Sequence, residues 1–64
     1  MNKAEEMQYI QSRINKIREK GHENIADRFQ REIFNFFSKS TLEISMLKRE
    51  TERYINHNIY KWKS

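Results

Sequence analysis

There is no cysteine and no proline in this 64-residue chain, and glycine occurs once, at Gly21. Without thiols there is no disulfide framework and no thiolate for a metal, a composition that fits a reducing interior. With so few turn-forming residues the chain lacks what tight connections between strands require, and an all-helical fold follows. No apolar run approaches the ~20 residues of a membrane span, and the first residues lack the apolar stretch of a secretory signal. The cytoplasm is the expected compartment, with no membrane partner.

What is present is charge and a compact set of large apolar residues. Thirteen basic residues against nine acidic ones give a net charge of +4, a moderate excess and not the dense basic tract of an arm that wraps nucleic acid. The excess is uneven, since no acid follows Glu52 while Arg53, Lys61 and Lys63 do. A chain this short forms one domain, residues 1–64, and buries only about 60% of the surface its unfolded form exposes. Small domains of this kind are commonly held by disulfides, metal, close helix packing or self-association. With no Cys and only two distant His residues, the last two remain, and a homodimer is one expectation.

Periodicity divides the chain into three helices. Met7, Ile10, Ile14 and Ile17 form one narrow stripe at 3-4-3 spacing, and Gly21 follows as the left-handed residue that closes a helix, which puts helix one at about 3–20. Asn24 is a capping candidate for helix two, with His22 or Glu23 as alternative starts, and the apolar positions carry it to about Ser38. Ser40-Thr41-Leu42-Glu43 then matches a capping box. Helix three is expected at about 41–61 on a stripe of Ile44, Leu47, Thr51, Tyr54, Ile55 and Ile59, its C-terminal end overhanging the others. The fold expected is an all-α three-helix bundle. The alternative is a helical hairpin with one long second arm, if Ser38-Lys39-Ser40-Thr41 fails to interrupt the helix.

Ile33, Phe34, Phe36 and Phe37 place four large side chains within five positions. On a continuous helix they fan across roughly 140°, too wide for one seam. Phe29, Ile33, Phe36 and Phe37 are expected in the core; Phe34, on the flank of that sector, is a candidate for a dimer or partner surface.

Catalysis finds little footing. A nucleophile and its base, or an acid and a base, must converge in a cleft, and His22 and His57 stand apart with neither at the i, i+4 spacing of a helical metal pair. His22 beside Glu23 reads as a surface pair at a helix start. No enzyme activity, cofactor or metal is expected. The sharper signal is C-terminal: Arg49, Arg53, His57 and Lys61 recur every four residues as a gently winding basic ridge, and Tyr60 and Trp62 interleave with Lys61 and Lys63. Such a pairing of cations and rings suits phosphates and exposed bases, although Glu50 and Glu52 dilute the ridge, oppose an anionic lipid surface, and Glu50 can pair with Arg53. A helix-turn-helix reading is weak, because helix three opens on Thr41, Glu43 and Ser45 and not on a base-reading head. The expected function is that of a small protein-binding regulator that occupies a surface on a macromolecular partner. DNA or RNA binding through the basic-aromatic C-terminus is the alternative. The candidate partner-binding residues are Phe34, Arg49, Arg53, His57, Tyr60, Lys61, Trp62 and Lys63.

Overall fold

The computed structural model describes residues 2–60 and shows three α-helices joined by short turns. The first, α1 (Lys3–Glu19), begins with a capping box that the spacing of Asn2 and Glu5 encodes: the Glu5 amide donates to Asn2 Oδ1 at 2.9 Å and the Asn2 amide to Glu5 Oε1 at 3.3 Å. Ile10, Ile14 and Ile17 of the apolar stripe are fully buried. Gly21, at φ 91°, ends the helix as expected. The His22 amide donates back to the Ile17 carbonyl and the Gly21 amide to that of Arg18, the pair of bonds by which a left-handed residue satisfies the last carbonyls.

The second helix, α2 (Glu23–Ile33), is capped at His22, not Asn24. Ala26 is its one fully buried residue, while Ile25, Phe29 and Ile33 are half-buried against the core. Gln30 clasps Gln11 of α1 through reciprocal amide bonds of 2.7 and 2.9 Å.

The end of α2 departs from the sequence expectation of Ser38. The helix stops at Ile33, and residues Phe36–Ser38 form a single 3₁₀ turn. Aromatic and β-branched residues are weak helix formers and Asn35 competes for the backbone, so tertiary burial decides the path. The tighter turn brings Phe36 fully into the core and leaves Phe37 61% and Phe34 85% exposed. Phe37 is therefore not the core residue its spacing suggested, and the rings do not fan across one helix. The free carbonyls of Phe37 and Lys39 each accept a 3.0 Å hydrogen bond from Lys3 Nζ, tying this turn to the start of α1.

The third helix, α3 (Thr41–Tyr54), opens on the expected capping box: the Ser40 amide donates to Glu43 Oε1 at 2.9 Å and the Glu43 amide to Ser40 Oγ at 3.2 Å. The chain thus breaks between α2 and α3, and the long-armed hairpin does not form. The bond from the Ser40 backbone, then that of its side chain, holds the Glu43 carboxyl below its ordinary value of 4.5. A carboxyl with a lowered folded pKa contributes stability above its unfolded pKa and loses it as pH falls through the folded one. Acid titration of stability should accordingly show a component below pH 4.5 that Glu43→Gln removes, and Ser40→Ala should cost about 1 kcal/mol at neutral pH. Melting temperatures across this range check both, and an unchanged acid limb in the Gln variant would count against the box.

Ile44, Leu47, Thr51 and Ile55 bury one face of α3. The Thr51 hydroxyl is satisfied within its own helix, donating to the Leu47 and Lys48 carbonyls at 3.0 Å. After Tyr54 the chain does not run on as α-helix but widens into a π turn, Ile55–Ile59. The Asn58 side-chain amide donates to the Tyr54 carbonyl, the acceptor that its backbone amide would reach in an α-helix, and the Tyr60 amide donates instead to Ile55. This extra residue per turn shifts the phase, so that Ile59 and Tyr60 come back against the core and the expected overhang is absent as far as Tyr60. Of the three helices α1 is central, and α2 and α3 touch each other less than either touches α1. No helix among the described residues is long and apolar enough to cross a membrane.

Candidate functional site

The core positions of α3 dictate what lies on its other side. With Ile44, Leu47, Thr51 and Ile55 turned inward, the residues half a turn away are Leu42, Met46, Arg49 and Arg53, at 4-3-4 spacing along one outward stripe. Leu42 is 70% and Met46 53% exposed, and Arg49 and Arg53 are exposed with them. The stripe is therefore apolar at its N-terminal end and basic at its C-terminal end. Phe34 and Phe37 lie in the connection that leads into its apolar end.

Several other cations of the bundle are engaged. Arg13 pairs with Glu52 at 3.6 Å, Arg18 with Asp27 at 2.8 Å, Lys39 with Glu32 at 3.1 Å and Lys48 with Glu6 at 3.5 Å. Arg13 also donates to the Tyr9 hydroxyl, and its guanidinium lies 4.4 Å from the centre of the Tyr9 ring. Arg49, Arg53 and Arg28 take no ion pair among the described residues, and neither do Arg31 and Lys20. The pairing of Glu50 with Arg53 that their i, i+3 spacing allows is not formed, and Glu52 is drawn across to α1. The acids thus dilute the basic ridge less than their sequence positions imply.

The ridge itself is shorter than its spacing suggested. Arg49 and Arg53 share the outward stripe, but His57 falls within the π turn, where the regular 40° rotation no longer holds, although it remains exposed. Tyr60 leaves the ridge altogether. It is half-buried against the core, and its ring and hydroxyl face Lys16 of α1, whose Nζ lies 5.2 Å from the ring centre and donates to the oxygen. Its ring therefore packs on α1 and does not stand free beside Arg49 and Arg53. Lys61, Trp62 and Lys63 lie outside the described residues. Phe34, the apolar candidate, is exposed where its flank position allowed it to be.

Two features escaped the sequence reading. His22 is not a free surface residue: its Nδ1 shares a 2.6 Å hydrogen bond with the Tyr54 hydroxyl and the two rings meet edge to face. Nothing local announces a partner 32 positions away. The second is a groove of about 680 Å³ between α2 and α3, floored by Ile25, Phe29 and Tyr54 with Arg28 and Arg53 on its two lips. Phe29 was expected in the core; it is half-buried against it, and its outer side helps to wall the groove.

Comparisons of the chain with family models, with curated proteins and with solved structures gave no match.

Proposed function

We propose that this protein is a small helical regulator that acts by binding another protein and occupying its surface, with the outward stripe of α3 as the contact. The observation that carries this reading is the union, on one rigid helix face, of exposed Leu42 and Met46 with the unpaired guanidiniums of Arg49 and Arg53. None of the four belongs to the bundle core. Met and Arg are enriched at protein interfaces, and Arg is among the residues that most often carry binding energy there. Phe34 and Phe37 extend the apolar end. The action proposed is binding; the lowered carboxyl of Glu43 is accounted for by its helix cap.

Affinity capture of the tagged full chain from its native cells, with and without nuclease, tests the reading. The expected result is a protein that survives nuclease and is lost when Leu42→Ser and Met46→Ser are combined. Both positions are exposed, so the variant should keep its helical spectrum and melt within about 0.5 kcal/mol per site of the parent. Capture that disappears with nuclease would remove the proposal.

The two unpaired arginines also support the second reading, nucleic-acid binding. In that case affinity should fall steeply with salt, and neutralising Arg49, Arg53, Lys61 and Lys63 together should reduce the slope by up to about four contacts' worth. A fluorescence titration with random-sequence DNA distinguishes the readings, since no association at about 100 µM protein in about 50 mM salt eliminates even non-specific binding.

A further inference from the structure

We infer that the groove between α2 and α3 receives a single amphipathic helix of the partner protein, whose acidic side chains meet Arg28 and Arg53 while its apolar side chains lie on Ile25, Phe29 and Tyr54. The inference rests on the partner being a protein and specifies what it presents.

Three observations support this occupant. First, α2 and α3 lean on α1 more than on each other, so their outer sides leave a trough of about 680 Å³. A helix laid into that trough would complete a four-helix arrangement, the way amphipathic helices dock in apolar grooves. Second, its floor is apolar and fixed: Phe29 and Tyr54 meet edge to face with ring centres 6.4 Å apart, and Tyr54 is anchored by His22 through their hydrogen bond. Such a floor is formed before the ligand arrives and loses little freedom on binding.

Third, the charge on the lips selects the partner. Arg28 from α2 and Arg53 from α3 line the same groove and neither has an ion pair among the described residues. Toward the connection between the helices the lips carry Glu32 and Glu50 instead; Glu32 is held by Lys39, and Glu50 has no such pair. A nucleic-acid strand running along the groove would bring a phosphate against Glu50. A helix of mixed charge, with carboxylates placed midway and a cation toward the Glu50 end, avoids that repulsion and satisfies both guanidiniums. The groove between α1 and α3, about 280 Å³, offers no comparable opportunity because Arg13 and Lys16 on its walls are already engaged.

The test uses the full chain, isotope-labelled, titrated with a synthetic 18-residue amphipathic helix carrying Leu and Phe on one face, flanking Glu residues midway and a Lys toward one end. The control is the same peptide with Gln in place of Glu. Expected are amide shifts concentrated at Ile25, Arg28, Phe29, Arg53 and Tyr54, about tenfold weaker binding of the Gln peptide, and about tenfold weaker binding of the Glu peptide to an Arg28→Glu, Arg53→Glu variant. Both arginines are exposed, so the variant should retain its fold, and its spectrum verifies that directly. Absence of shifts at about 1 mM peptide, or equal binding of the two peptides, overturns the groove assignment. Shifts confined to Leu42 and Met46 overturn it while leaving the protein-binding reading intact. If an oligothymidylate of equal length occupies the groove more tightly than the Glu peptide, the groove inference fails; nuclease-sensitive capture then brings down the broader reading separately.

Discussion

Replacing Phe36 by Ala should leave the protein largely unfolded at 37 °C, whereas the same change at the adjacent Phe37 should be tolerated. Phe36 is 0% exposed and is one of the largest fully buried side chains among the described residues. Removing a buried phenyl group costs about 3–5 kcal/mol through lost transfer energy and the cavity left behind. The single core of a chain this short rarely supplies more than about 3–5 kcal/mol of stability in total, so little or none remains. Phe37 instead holds its ring edge-on to that of Phe36 with centres 5.9 Å apart and is otherwise turned to solvent. Its loss removes at most the ring contact, about 0.5–1.5 kcal/mol, and its carbonyl still accepts from Lys3. Urea unfolding of the two variants side by side measures the difference; equal destabilisation would show that the 3₁₀ turn does not sort the two rings as described.

That contrast also marks the boundary of what the sequence discloses. Features settled within a few residues were legible. Gly21 ends α1 because only glycine adopts its left-handed backbone without strain, and Ser40 with Glu43 starts α3 because each satisfies the amide of the other. The stripe Ile10, Ile14, Ile17 needs no more than helical periodicity. Features decided by distant contacts were not legible. Helical spacing treats Phe36 and Phe37 nearly alike, and what separates them is where the core ends. The π turn after Tyr54 shifts the phase by one residue and sets Tyr60 against Lys16 of α1, and local spacing has no means of registering it.

The candidate site divides along the same line. Arg49 and Arg53 share a face simply because α3 is regular through that stretch, and both were singled out from their spacing; Leu42 and Met46, on the same face, were not. The charge state of the face depended on tertiary pairing: Glu52 is committed to Arg13 of α1 and Glu50 is not bonded to Arg53. The groove required knowing that α2 and α3 lie apart, which only the packing on α1 determines. Arg28, unremarkable in the sequence, gains meaning from facing the same trough as Arg53.

The central position of α1 leads to the other large effect. Ile14 is fully buried at the middle of its stripe, between Ile10 and Ile17, on the helix that packs against both of the others. Truncating it to Ala should cost about 2–5 kcal/mol, while Ile14→Val, which removes one methylene, should cost about 0.5–1.5 kcal/mol. Because α2 and α3 depend on α1 more than on each other, the Ala variant should lose all three helices in one transition and not unravel α1 alone. Far-ultraviolet circular dichroism and the backbone amide signals of the three helices, followed through the same thermal melt, should coincide for the parent and for both variants. The groove is walled by residues of α2 and α3 and does not include Ile14, so the Val variant should bind the acidic peptide as the parent does. An Ala variant that melts like the parent, or whose two signals separate into distinct transitions, would show that α2 and α3 hold together without the isoleucine seam of α1.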